Sequence, residues 1–520
     1  MLFHTWPFLI FMLIVLPVFY ALRGTNWWIP WLMAASYFFY GWWNPYYLLL
    51  VLYSTVLDYF LVTLMDHCPR EGPPSPPFVD PALKRAFLVS SGAAVAIAAA
   101  ACFGPPALRP ALAGLALIFL LMAAGAFLRN RRIWLLISLV NNLALLLFFK
   151  YGRFVAANLN AILPWHLPDP STLMPLGFSY ALPVGISFFT FQSLSYTIDF
   201  YFGNVERERN FLRFATFVCF FPQLMAGPIE RAKHLLPQLR QFPPIRRENF
   251  TDGLSLFLVG LFKKLALANY LAFYVERVYD NPKAFGAPAL MLATFAFAWQ
   301  IYFDFSGYTD MARGIARLLG FNLILNFNNP YLAAGLGEFW TRWHISLSSW
   351  FRDYVYIPLG GNRRGPVKMY RNLLVTFLLS GFWHGAAWTF VIWGGLHALG
   401  VMATRELERS TFYREQAPRW LKQAAVFLFV CFTWIFFRAE SLGDAGLIVR
   451  RIFTAAWSDP QIPALMLALI ALVWLYQFLY ESKSRDFLRS GFARAGLAVF
   501  MVLYLFLFSS GGGTFIYFQF

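Results

Sequence analysis

Two histidines stand 40 positions apart in aromatic surroundings: His344 in Phe339-Trp340-Thr341-Arg342-Trp343-His344-Ile345-Ser346, and His384 in Ser380-Gly381-Phe382-Trp383-His384-Gly385. Imidazole is the side chain whose ordinary pKa suits proton transfer near neutral pH. An apolar pocket favours its neutral form, the one able to accept a proton. A hydroxyl attacking a thioester needs such a base, together with donors for the tetrahedral oxyanion. On this reading His384 takes the proton, while His344, with Trp340 and Trp343 beside it, orients the acceptor or stabilises the oxyanion. A pair of buried, hydrogen-bonded packing histidines fits the same residues. The residues alone leave both readings open.

Other chemistries find no support. The chain has no HExxH zinc motif, GxSxG elbow, P-loop or paired GxGxxG, and position 349, five after His344, is Ser349 rather than an acid. Metal catalysis needs several converging His, Cys, Asp or Glu ligands, so no metal site is expected. His397, thirteen after His384, is expected inside a helix bundle, and His4, His67, His166 and His234 at span ends or in loops. Asp304 and Asp310 are carboxylates at or near membrane depth; orienting a histidine, gating a polar path, helix capping and pairing with Arg313 all remain open to them. Lys263 and Lys264 are expected to snorkel to an interface.

The elements that must position these groups follow from composition. Only 13% of the 520 residues are charged and 59% are hydrophobic, with mean hydropathy +0.56; a soluble domain carries about 25% charged residues. A bilayer span takes roughly 20 apolar residues. Apolar windows recur near 6–22, 28–43, 45–65, 86–104, 111–128, 133–149, 182–202, 253–278, 287–303, 373–402, 421–437, 463–480 and 493–509. The expectation is an all-α polytopic membrane bundle of about 11–14 spans, with the window at 6–22 retained as a helix. The formal net charge of +17 sits in short loops around 129–132, 207–213, 231–247 and 363–371. That is a topological signal placing these loops in the cytoplasm, and it implies no nucleic-acid partner. Four scattered cysteines imply no disulfide framework, and Cys102, Cys219 and Cys431 read as small buried hydrophobes.

His384 lies thirteen residues beyond Arg371, roughly 20 Å along a helix, so it is deep in the membrane, where an ionisable side chain is a functional candidate. The run 373–402 is too long for one straight span, and Gly381, Gly385, Gly394 and Gly395 are places for it to break. Broken helix is tolerated at that depth only where it lines a cavity or is buried in protein. Residues 338–352 place Phe339, Trp340, Trp343, Leu347, Trp350 and Phe351 on one stripe, which predicts an amphipathic helix with His344 at the edge of its aromatic face. The segment 69–85, with six prolines, reads as a loop.

At this point longer strings become informative. LPVGISFFTFQSLSYTIDFY (182–201), FPQLMAGPIER (221–231), QIYFDFSGYTDMARGIARLLGF (300–321), NFNNPY (326–331), EFWTRWHISLSSWFRDYVYIPLGGNR (338–363), LLSGFWHGAAWTFVIWGGLHA (378–398) and the closing FIYFQF (515–520) resemble the membrane-bound O-acyltransferase family, in particular its alginate-acetylating bacterial type. The resemblance runs from about residue 131 to the end. It implies a helical bundle with a central tunnel in which the histidine of the WHG string, His384, carries acyl transfer and that of the RWHIS string, His344, is the second functional position. Asp304, Asp310, Trp340, Trp343, Trp383 and Arg352 become candidate supporting or tunnel residues. Apart from the resemblance, the charge of the basic loop 363–371 leads us to expect Arg363, Arg364 and Lys368 to attract an anionic donor. The resemblance further implies acetyl-CoA as donor with no tightly bound cofactor, a periplasmic SGNH-hydrolase-like partner, a polysaccharide acceptor, and residence in the bacterial inner membrane among its lipids. Transfer of another acyl unit, such as D-alanine to teichoic acid, is the rival within the family; a non-enzymatic transporter is the rival outside it. The whole chain reads as one membrane domain, with N-terminal spans at 1–68, an insertion at 69–130, the family core at 131–440 and C-terminal spans at 441–520.

Overall fold

The computed structural model describes residues 1–69, 80–103, 109–163, 166–174, 180–457, 463–483 and 485–508. Most of the proline-rich loop expected at 69–85 and all of the closing FIYFQF string fall outside the described residues. Every regular element among the described residues is helical. Eight helices are long and apolar enough to cross a membrane: Pro45–Asp66, Pro81–Phe103, Arg131–Ile162, Arg247–Tyr279, Ala287–Leu318, Arg419–Arg438, Ala464–Glu481 and Gly491–Phe508, with Trp6–Ala21 and Leu112–Leu128 as shorter apolar helices. Helices satisfy their own backbone groups, which hydrocarbon requires. The protein is an all-α, multi-pass membrane protein. The windows at 28–43 and 182–202 do form helices, Trp28–Gly41 and Ile186–Phe202, but of only 14 and 17 residues. The run at 373–402 is two helices, not one. Cys68, Cys219 and Cys431 are buried as small hydrophobes, whereas Cys102 is exposed, near the end of a helix that buries little of its surface.

The chain folds as two compact units. One holds Met1, Phe11–Met225 and Ile229–Pro243. At its centre the buried carboxylate of Asp58 accepts from Ser138 Oγ at 2.6 Å, from Asn142 Nδ2 at 2.9 Å and from Ser193 Oγ. Leu48–Asp66, Arg131–Leu146 and Ile186–Phe202 are thereby tied together by hydrogen bonds to one charge-capable group, so its burial is compensated by donors. Arg131 caps the ends of two of these helices, donating to Met65 O at 3.0 Å and Phe200 O at 3.4 Å, where a helix C-terminus favours a cation.

The second unit holds Leu2–Ile10, Ala226–Pro228 and the chain from Pro244 onward. Its axis is Ala287–Leu318, a 32-residue helix buried over most of its length. Against it runs Arg247–Phe262, continued by a widened π turn at Lys263–Ala268. Both lysines of that turn face acids on the long helix: Lys264 Nζ lies 2.6 Å from Asp304 Oδ1, both nearly fully buried, and Lys263 Nζ lies 2.7 Å from Asp310 Oδ2. They therefore do not snorkel to an interface. Charges held at membrane depth pair with one another, and here two consecutive lysines meet two carboxylates on a single neighbouring helix.

Candidate active site

His384 is the last residue of the helix Pro366–His384. The chain then leaves the helix in extended conformation at Gly385 and re-enters one at Trp388–Leu407. This is the break expected within 373–402. A Cβ on Gly385 would collide with the ring of Phe390, and one on Gly381 or Gly394 would collide with backbone of the facing helix. Small residues at these positions let the two helices close into a tight hairpin with His384 at its apex.

Around His384, which is 3% exposed, stand three aromatic rings: Trp383 at 5.0 Å between centroids, Trp393 at 5.1 Å and Phe437 at 5.3 Å. These are edge or tilted contacts of the kind aromatic rings prefer.

His344 reaches the same cage by a different route. The single amphipathic helix expected over 338–352 is two short helices, Leu336–Arg342 and Ile345–Phe351, followed by a π turn at Arg352–Tyr356. They part at His344, whose backbone is left-handed (φ 43°, ψ 55°). Few non-glycine residues adopt that region, although His does so more readily than most. The break is held from outside: Ile345 N donates to Asn326 O at 3.0 Å, and Ser346 N and Oγ both donate to Asn326 Oδ1, at 3.1 and 3.0 Å. His344 is thus fully buried rather than interfacial. Its ring packs on Phe305 at 4.6 Å and on Trp383 at 6.1 Å.

Trp383 therefore stands between the two histidines, touching both. A third histidine joins the cage. His397 packs on Trp393 at 4.7 Å and Trp340 at 5.0 Å, and shares a 2.9 Å hydrogen bond between its Nε2 and Thr433 Oγ1. It is inside the bundle as expected, but its place in the histidine cage was not foreseen. The i, i+4 spacing of Trp393 and His397 on one helix is the one sequence signal that bears on it.

The other expected residues divide. Trp340 and Arg352 line a cavity of about 220 Å³, together with Tyr356, Thr376, Phe377 and Ser380. Ser380 is one turn before His384 on the same helix, and Arg352 is exposed and paired with Asp353 at 2.8 Å. Trp343 does not line this cavity. It is buried against Phe327, Phe339 and Trp434 as core. Asp304 and Asp310 are taken up by Lys264 and Lys263, with Arg313 also 3.4 Å from Asp310; of the roles open to them, pairing is the one the geometry supports. Arg363, Arg364 and Lys368 are exposed at the start of the hairpin, in a turn anchored where Asn372 Nδ2 donates to Gly361 O at 3.1 Å. His67 and His234 are not merely solvated: each holds a carboxylate, Asp80 at 2.7 Å and Glu230 at 2.6 Å.

Comparison with known proteins locates this arrangement. The profile of the membrane-bound O-acyltransferase family matches residues 205–442, a stretch containing both His344 and His384. The probable alginate O-acetylase AlgI of Pseudomonas aeruginosa is 36% identical over 450 residues, covering 86% of this chain and 74% of that one. A peptidoglycan O-acetyltransferase of Helicobacter pylori is 31% identical over 549 residues, 94% of this chain and 91% of that one. A teichoic acid D-alanyltransferase of Bacillus subtilis is 29% identical over 279 residues, 49% of this chain and 69% of that one. The chain belongs to the membrane-bound O-acyltransferase family and is an O-acyltransferase.

Proposed function

We propose that this protein moves acetyl groups from a cytoplasmic thioester, acetyl-CoA, across the bacterial inner membrane for O-acetylation of an extracytoplasmic polysaccharide. A periplasmic SGNH-hydrolase-like protein is the partner that completes the modification. The observation that carries the reading is Trp383 held between His344 and His384 in one buried aromatic cage, beside a cavity reaching from Arg352 to Ser380. The similarity to proteins named for acetylating alginate and peptidoglycan supports acetyl as the group and a glycan as the acceptor.

The step assigned to the cage is acyl transfer. A hydroxyl oxygen attacks the thioester carbonyl while His384 removes its proton, and the carbonyl oxygen gains the negative charge. His344, fixed by the Asn326-bound turn, is placed to steady that charge or to orient the hydroxyl. Collapse breaks the C–S bond, and the proton on His384 passes to the leaving thiolate. Aromatic walls keep bulk water from competing as the nucleophile. Arg363, Arg364 and Lys368 lie exposed where the hairpin begins and draw in the anionic donor.

The test uses the full-length protein in proteoliposomes with radiolabelled acetyl-CoA. A general base is worth about 10²–10⁴ in rate, so His384→Gln should lower acetyl transfer by at least about a hundredfold with the fold intact, and His344→Asn by less. Neutralising Arg363, Arg364 and Lys368 should raise the donor KM and leave kcat unchanged. Undiminished transfer by His384→Gln would sink the assignment. Turnover of a D-alanyl carrier thioester in place of acetyl-CoA would move the protein to the teichoic-acid type.

A further inference from the structure

At one end of the second unit, three helices meet at a cleft of about 420 Å³, and two of them bring basic side chains to it. Arg313 and Arg317 come from the last turns of Ala287–Leu318, Arg494 from the first turn of Gly491–Phe508, and Asp252 and Ser255 from near the start of Arg247–Phe262. Asn322 completes the polar wall. The cleft is separate from the cavity between Arg352 and Ser380, with which it shares no lining residue.

Its charge is unbalanced. Arg313 reaches Asp310, but Asp310 is already held by Lys263 at 2.7 Å; Arg494 reaches Asp252 at 3.3 Å; Arg317 donates to the Asn322 side-chain oxygen, which carries no charge. Four cations thus share two carboxylates among the described residues here. Arg313 and Arg317 are four apart on one helix, so they are neighbours on its surface and repel. Each guanidinium has five N–H donors in a planar fork, and the contacts described engage few of them. The Nε of Arg313 is buried with no acceptor among the described residues. A cleft with surplus positive charge and spare forked donors is matched to a phosphate group, whose oxygens accept such forks bidentately.

The setting selects the source of that phosphate. All three helices end or begin here, and the ends of membrane-crossing helices are where lipid headgroups are met. Gly491–Phe508 buries none of its apolar window against protein, and Leu254, Phe492 and Leu497 are exposed beside the cleft-lining positions in sequence. Exposed apolar helix running away from a basic cleft provides acyl-chain contact below a headgroup contact. Basic pockets between membrane helices are general sites for anionic lipid headgroups.

We propose that this cleft binds the phosphate of an anionic membrane phospholipid, seated between Arg313, Arg317 and Arg494. The shared chemistry is a phosphate ester, and a soluble phosphate compound is the competing source. The proposal concerns a site distinct from the histidine cage and stands whether or not the acetyl assignment does.

Native mass spectrometry of the intact protein, delipidated and then offered phosphatidylglycerol or phosphatidylcholine with identical acyl chains, tests it. Phosphatidylglycerol should be retained preferentially. Each arginine near a lipid phosphate should contribute roughly five-fold in affinity, so Arg317→Gln with Arg494→Gln should weaken retention by about thirty-fold. Arg317→Lys with Arg494→Lys, which keeps the charge but loses the forked donors, should retain more than the glutamine pair and less than the unaltered protein. Equal retention of the two lipids, or no loss in the glutamine pair while the protein stays folded, would overturn the proposal. Displacement of phosphatidylglycerol by millimolar inorganic phosphate would assign the cleft to a soluble anion and overturn the lipid source.

Discussion

Removing the charge from Lys264 tests whether Asp304 is a structural partner or a reacting group. The two side chains are 2.6 Å apart and each is only 4% exposed, deep in the second unit. Breaking a buried pair by deleting one member strands the other charge, at a cost of about 3–5 kcal/mol. Replacing both members with apolar residues of similar volume removes the desolvation penalty with the attraction and is often neutral or stabilising. Lys264→Met alone should therefore cost about 3–5 kcal/mol, Asp304→Leu alone a similar amount, and the double variant far less than either. Asp304 is followed by Phe305, whose ring packs on His344 at 4.6 Å, so loss of the pair also loosens one wall of the cage. Thermal denaturation of the purified protein in detergent, followed by size exclusion, reads stability, and thioester consumption reads activity. If the pair is structural, activity should fall in each single variant and return with stability in the double. A double variant as unstable as the sum of the singles would refute the buried-pair account. One that regains stability but stays inactive would refute the assignment of Asp304 to structure alone.

Two shorter predictions concern the hairpin apex and the pair Glu230–His234, at the start of the short helix Ala232–Leu235. Gly385→Ala places a methyl against Phe390 and must displace either that ring or the chain leaving His384; overpacking of this kind costs about 1–3 kcal/mol. Transfer should fall by more than tenfold with only a modest loss of thermal stability, and normal activity would show that the apex tolerates movement. The hydrogen bond from His234 Nδ1 to Glu230 raises the histidine's pKa above its ordinary value. A raised folded pKa stabilises the protein in full below the unfolded pKa of about 6.5, and that stabilisation fades as pH climbs through the folded value. Melting temperature should therefore decline from about pH 6 to pH 8, and His234→Gln should flatten that decline; an unchanged slope would remove the pair as its origin.

How much of this was legible in the sequence differs between the two histidines for a physical reason. The break at His384 could be read because its cause is local: Gly381 and Gly385 flank it within a run of thirty apolar residues. The break at His344 could not. The stripe of Phe339, Trp340, Trp343, Leu347, Trp350 and Phe351 fits one continuous helix, and no glycine or proline interrupts it. The interruption is imposed by Asn326, eighteen residues earlier, whose backbone oxygen and side chain capture the amides that a continuous helix would have used. Lys263 and Lys264 were misread for a related reason. Snorkelling is the default for a lone cation near a span end, and it yields only when a carboxylate waits on a neighbouring helix; the Asp304 and Asp310 spacing hinted at this without revealing which helices are neighbours.

Local sequence thus reveals where a chain must bend and hides where a distant residue bends it. That asymmetry bears on the cage itself. The left-handed backbone that carries the His344 imidazole is pinned just beyond it, where Ser346 N and Oγ both donate to Asn326 Oδ1, so the base of the ring has little freedom to shift. His384 stands at a helix end with extended chain beyond it, in ring contact with Trp383, Trp393 and Phe437. A group that must accept a proton and then release it benefits from small displacements, whereas one that steadies a developing charge benefits from being fixed before the charge appears. On the proposed mechanism, the pinned backbone at His344 suits that residue to steadying charge, and the chain break beside His384 suits it to the base.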